Sequence, residues 1–376
     1  MEQATYLHNR FFKRKLLLIL FSLILLMMIV FFCAHNFYLY QQTIVKVTDV
    51  ETAYTATEIG PNQEKEAYYH QSIEAVVKNG PEKGATVSME NSYAASGIKG
   101  EKYSKGDCLF VTLAENNGTF SATVTGVKRD VYFCLLLGIL ALSLLLTSSR
   151  QGFLTLVSIV VNVALFTAWI SFNGTSVYNP KNWVLIVISF CLTTLLLVSG
   201  FHKKTFAAII SSLLSVGAIY GLYQLVAAFS AKLPFELVTY MTGPDSAEPI
   251  FIISLIVGSL GAVMDVAVTI CSSVGEMVHT KNDIALGDLI RGIREIAMDI
   301  MGTMINVLFF SYLSGALFMI VLEVKNDYSI SSLFQFSFIF EVVRFLTGSI
   351  GIVLAIPLAA FTAILFYRKE MGAKVL

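Results

Sequence analysis

Over most of this 376-residue chain, apolar residues come in runs of about twenty, separated by short polar breaks. A helix needs about 20 apolar residues to cross roughly 30 Å of hydrocarbon, and eight runs meet that requirement. They lie at roughly 16–38, 131–147, 152–172, 183–200, 206–230, 249–274, 299–322 and 346–367. The segment 41–128 is patterned differently: SIEAVVKNG, GATVSMENS, CLFVTLAE and FSATVTGV are separated by Gly, Pro and Asn. These read as short strands and turns, four or five in all, and predict a small β-barrel or sandwich of OB-like type. The expected fold class is therefore mainly α. It is a polytopic bundle of about eight transmembrane helices with a small β-rich domain between the first and second spans.

Composition agrees with lipid as the main solvent, since 56% of residues are hydrophobic and only 14% charged. The formal net charge is zero, and no basic face of the kind that binds nucleic-acid phosphates stands out. The first apolar run follows Arg10, Lys13, Arg14 and Lys15 as in a signal sequence, but no A-x-A site follows it. Bulky Val30, Phe31 and Phe32 before Cys33 also do not suit lipoprotein processing. An uncleaved first span is the expectation. Cys33, Cys134, Cys191 and Cys271 fall in apolar runs and only Cys108 lies outside them, so the cysteines read as buried packing thiols rather than a secreted disulfide framework.

The Lys/Arg bias of short loops sets orientation. Arg10, Lys13, Arg14, Lys15, Arg150, Lys203, Lys204, Lys281, Arg291, Arg294, Arg368, Lys369 and Lys374 share one alternating face. The opposite loops hold Lys181, Lys232 and Lys325, with Arg344 near a span. This asymmetry predicts both termini in the cytoplasm and residues 41–128 outside it. The organisation expected is a basic N-terminus and first span over 1–40, the outer β domain over 41–128, and a seven-span core over 129–376. Asn117 and Asn173 sit in NGT triplets that match the glycosylation pattern, a short match that carries no meaning in a prokaryotic host.

Ionisable residues inside a span are costly and serve as candidates for function. In the sixth span, Gly258, Ala262, Asp265, Thr269 and Ser272 recur at helical spacing and form one small, polar face. Gly258 and its neighbour Gly261 suit close helix packing, whereas a carboxylate at Asp265 asks for a further role. In the seventh span Asp299, Gly302, Thr303 and Asn306 share a face in the same way. Asp299 either caps the helix near the cytoplasmic boundary or begins a polar track. Between the two spans, Ile284 to Ile296 alternate with Asp288, Arg291, Arg294 and Glu295 as an amphipathic helix expected on the interface. The last apolar stretch, 333–367, would extend about 50 Å as one helix, so a break is expected, with Gly348, Gly351 and Pro357 as the break or packing points. Glu341 and Arg344 are spaced to pair.

The segments GAVMDVAVTICSS (261–273), DIMGTMIN (299–306), EVVRFLTGSIG (341–351) and LAIPLAA (354–360) resemble the YibE/F-like family of bacterial multipass proteins. Asp265, Asp299, Gly302, Thr303, Asn306, Glu341, Arg344, Gly348, Ser349 and Pro357 match its motifs. Ala297 and Met298 depart from the glycine and basic residue expected before Asp299. The resemblance implies residence in the bacterial cytoplasmic membrane. It also implies a YibE-type chain with either a shorter YibF-type partner or self-association. The plan of an outer domain followed by a mid-helix Asp is similar, by analogy alone, to the SecD/SecF export subunits.

The functional expectation is a permease or export-assisting subunit coupled to a proton or cation gradient. In it Asp265 would be the protonatable site, Asp299 and Asn306 would continue the path, and Glu341 with Arg344 would serve as a gating pair. Two other classes compete with it. One is an accessory protein whose outer domain binds a partner. The other is an intramembrane aspartyl protease built on Asp265 and Asp299, although GAVMD lacks the Gly directly before Asp265 that this class uses. No nucleotide-binding loop of the G-x-x-x-x-G-K-[ST] type occurs, and the sequence implies no enzyme chemistry, no cofactor and no metal ligand set.

Overall fold

The structure, a computed structural model, describes residues 20, 22–59, 63–116, 119–173, 180–229, 233–235, 247–280, 284–368 and 370. Arg10, Lys13, Arg14, Lys15, Lys232, Lys281, Lys369 and Lys374 lie outside these residues, as do Asn117 and the start of the first span. The chain forms two compact units, Met1–Gly152 and Phe153–Leu376.

The first unit holds helix α1 (Ser22–His35), five strands and helix α2 (Asp130–Thr147). The strands are β1 (Thr43–Ile59), β2 (Lys65–Val77), β3 (Thr86–Ala94), β4 (Cys108–Asn116) and β5 (Thr119–Val127). They close into a barrel in the order β1-β2-β3-β5-β4, antiparallel except where β3 meets β5. This is the Greek-key order of an OB-type barrel, and it settles the choice between barrel and sandwich. Alternate residues point inward, as the two-residue period of a strand requires: Val45 and Val47, Ile73, Ala75 and Val77, Val87 and Met89, and Leu109 and Val111 make the core.

Two buried amides lock the barrel loops. Gln71, fully buried, donates to Tyr103 O at 2.9 Å and accepts from Tyr103 N and Asn91 Nδ2, each at 3.0 Å. Asn79 accepts from Ile44 N at 2.6 Å and donates to Gln42 O at 2.8 Å and Tyr40 O at 3.1 Å. A third lock ties the barrel to its helices. Lys128 Nζ donates to Cys33 O at 2.6 Å and pairs with Asp130 at 2.8 Å. Asp130 also accepts from Tyr40 Oη and Asn36 Nδ2. Burial and this carboxylate together raise the Tyr40 hydroxyl above its usual pKa.

β1 and β2 stay paired out to Ile59 and Lys65, with β3 beside β2 as far as Tyr68, so the arm narrows to two strands at its tip. β1 pairs with β4 only over Thr43–Lys46. Among the described residues the far half of β1 therefore has an open edge, with Tyr54 61% and Ile59 69% exposed.

α3 (Ser149–Asn173) begins at the end of the first unit and runs into the second, which also contains α4 (Pro180–Ser199), α5 (Lys203–Phe229), α6 (Glu248–Thr280), α7 (Leu286–Lys325), the short α8 (Ile330–Leu333) and α9 (Ile339–Tyr367). Counting α2, seven described helices are long and apolar enough to cross a membrane. The fold is the expected one, a polytopic helical protein with a small β domain near its start. α9 is the central helix. α6 runs parallel to it, bringing Phe251 to Phe340 and Cys271 to Ala359. α5 runs antiparallel, with Thr362 donating to Ala207 O at 3.3 Å and Ile219 lying against Gly351.

Two expectations about helix ends are corrected. α9 does not break at Gly348, Gly351 or Pro357; it is one helix through all three. The glycines instead admit neighbours, Leu308 and Ser259 at Gly348 and Ile219 at Gly351. The irregularity falls earlier, in a π turn over Phe334–Phe338. Nor is the amphipathic segment after residue 284 a separate interfacial helix. It is the first third of α7, a continuous helix of 40 residues, because Leu289, Ile293 and Ala297 recur every four residues and bury one stripe.

Candidate functional site

The residues singled out from the sequence fall into two places in the second unit. The first is the outward side of α6 and α7. On α6 the buried face carries Val263, Val266, Ala267, Ile270 and Cys271, whereas Gly258, Gly261 and Asp265 are exposed. On α7, Asp299, Gly302, Thr303 and Asn306 are all exposed. Asp265 sits at the middle of a 33-residue helix, so its depth corresponds to the membrane interior.

Neither carboxylate has a hydrogen-bond or ion-pair partner among the described residues. The polar groups around them bond back to their own helices. Thr269 Oγ1 donates to Asp265 O at 2.7 Å, Thr303 Oγ1 to Ile300 O at 2.8 Å, and Asn306 Nδ2 to Gly302 O at 2.9 Å. Packing explains Gly258, which faces the Tyr312 ring, but nothing lies within 4 Å of a Cβ built at Gly261 or Gly302. The stripe is thus a packing surface at one end and an unoccupied polar surface at Asp265.

α6 and α7 are antiparallel. Gly258 meets Tyr312 and Met277 meets Gly292, which sets Asp299 level with residue 271, about 9 Å along the axis from Asp265. That offset is too large for two carboxylates sharing one proton, the arrangement an aspartyl protease uses.

The second place is the start of α9. Arg344 donates to Glu341 at 2.5 Å, and its guanidinium lies 5.1 Å from the centre of the Phe251 ring. Phe235, Phe251 and Phe340 form an aromatic cluster beneath it. An arginine on an aromatic face is stabilised by the ring quadrupole, which lowers the cost of holding this pair in an apolar bundle. The parallel register of α6 and α9 puts the pair roughly 15–20 Å along the axis from Asp265. The structure therefore joins Glu341 to Arg344 and brings neither to Asp265.

Several features were not visible from sequence. The buried Tyr312 hydroxyl and Arg344 Nε have no hydrogen-bond partner among the described residues. Asn162 on α3 bonds across to Thr193 and Thr194 of α4, at 2.6 and 2.8 Å, a satisfied polar contact of the kind that joins membrane helices. A cavity of about 830 Å³ opens between α4, α5 and α6. Its walls are apolar, and Tyr220, Gln224 and Glu248 gather at one end. None of the sequence-predicted residues lines it. Among the described residues no group of His, Cys, Asp and Glu could hold a metal ion.

A membrane-spanning helical core with two unpaired carboxylates on its outward face, preceded by a closed β-barrel, defines the class as an integral membrane protein. A family model described as YibE/F-like protein matches residues 136–369, and one described as YibE/F family N-terminal domain matches residues 37–127. The chain belongs to the YibE/F-like family. No match was found among curated proteins or among solved structures.

Proposed function

We propose that this protein is a permease or export-assisting subunit coupled to a proton or cation gradient, with Asp265 as the site that loads and releases the ion. The observation that carries this reading is Asp265 itself. It is a carboxylate at mid-helix depth, exposed from its own bundle and without a partner among the described residues. A charge left against lipid is costly, so the side chain is expected to face a wet path or another subunit. Asp299, Thr303 and Asn306 on the neighbouring helix extend the same polar surface. The second subunit is a YibF-type chain or another copy of this one, and the exposed glycines Gly261 and Gly302 suit its close approach. Membership of the YibE/F-like family supports a bacterial cytoplasmic membrane, and the Lys/Arg asymmetry supports both termini inside and residues 41–128 outside. The offset of the two carboxylates tells against the aspartyl-protease alternative.

The test is gradient-driven ion flux in liposomes holding the purified protein, alone and with the shorter family member. Asp265→Asn is expected to lower flux about tenfold or more, equivalent to about 1.4 kcal/mol on the barrier. Unchanged flux in a folded variant removes Asp265 from the mechanism. A second reading, an accessory protein, is favoured by one observation, the open β1 edge beside exposed Tyr54, where a partner strand could add. In that case shortening the β1–β2 arm abolishes complex formation while Asp265→Asn leaves it intact.

A further inference from the structure

Cys33 and Cys134 face each other across α1 and α2, their sulfurs 2.7 Å apart. That is closer than two unbonded sulfurs rest. The approach is built by the surrounding structure. Lys128 holds Cys33 O from the barrel side, and one turn further along α2 the bare backbone of Gly138 lets Leu26 press against it. Cys33 meeting Cys134 and Leu26 meeting Gly138 show that α1 and α2 run antiparallel. Cys33 is 8% exposed and Cys134 is half-buried, so the second sulfur is the more accessible of the two.

We propose that Cys33 and Cys134 are a disulfide-forming pair that covalently closes the foot of the barrel. The oxidant is an external small disulfide. The Cys134 thiolate attacks one of its sulfurs and expels a thiolate; Cys33 then attacks the Cys134 sulfur and expels the second. Two S–H bonds are lost, one S–S bond forms, and the oxidant leaves as two thiols carrying the two protons. The bridge spans 101 positions and encloses the whole barrel. In cells it requires an oxidising compartment, so there it rests on placing residues 41–128 outside the cytoplasm.

The other three thiols serve as internal controls. Cys191 and Cys271 are buried in the second unit, and Cys108 lies at the start of β4. The test counts maleimide adducts on the denatured full-length chain, acid-trapped from cells or purified and treated with oxidised glutathione, with and without prior reduction. The expected result is three adducts rising to five on reduction. Cys134→Ser should give four adducts in both conditions, and Cys108→Ser should keep the difference of two. Five adducts after oxidised glutathione, or loss of the difference in Cys108→Ser, overturn the pair. Three adducts in the purified protein but five in cells support the pair and overturn the outside placement of the barrel instead.

Discussion

Gln71 in the barrel and Asp265 in the helical unit are both polar residues set among apolar neighbours, and their surroundings are opposite. Gln71 is fully buried and holds the 101–103 loop and Asn91 against the strands through hydrogen bonds to both ends of its amide. Asp265 is exposed and its carboxylate bonds to nothing among the described residues. Polar residues also join helices within the membrane unit when joining is what they do, as Asn162 does with Thr193 and Thr194. Asp265 is therefore not a poorly made clamp. Its side chain is exposed from its own bundle, and the comparison separates residues that maintain this fold from residues the fold leaves at its surface.

The contrast can be broken most readily at Gln71. Gln71→Leu leaves the Tyr103 N–H and carbonyl without partners inside the barrel, which is expected to cost about 3 kcal/mol. Denaturant unfolding followed by barrel tyrosine fluorescence measures it, and a loss near zero shows that water replaces the amide. Next is Gly351, where any side chain meets Ile219. Gly351→Leu is expected to cost about 2 kcal/mol by overpacking the α5–α9 contact, whereas Gly261→Ala, at an open position, stays within about 0.5 kcal/mol. Thermal inactivation of the two variants in detergent separates them. The smallest effect belongs to Asp265→Asn, whose unfolding midpoint should match the parent within about 0.5 kcal/mol even where flux is lost. A larger destabilisation gives Asp265 a structural partner and returns it to the class of Gln71.

The helices were legible in the sequence because lipid imposes one rule, a run of about 20 apolar residues, and the chain follows it. Four strands were legible from alternation and turn residues. β1 was harder to see, because half of it leaves the barrel and its TDVETAYTATEI run has no buried face to pattern it. Continuity was the weak point. Gly348, Gly351 and Pro357 carry the composition of a break, and only the presence of Ile219 and Leu308 beside the two glycines makes them contact points. The candidate residues were readable as faces, since spacing alone puts Asp299, Thr303 and Asn306 together. Which faces point outward depends on contacts far apart in sequence, as do the seating of Tyr312 against Gly258 and the meeting of Cys33 with Cys134.

Gly348 and Gly351 also bear on how the second unit can move. Leu308 of α7 and Ile219 of α5 are seated in the recesses these glycines leave on α9. One turn further on, the surface continues through Ala355, Ala359 and Ala363, all fully buried. Each of those positions is shallower by one methyl group, so the present register is the deepest seat for Ile219 along that row. Sliding of α5 along α9 is thereby opposed in steps of about 5.4 Å, one helical turn, and the two glycines act as detents rather than as joints.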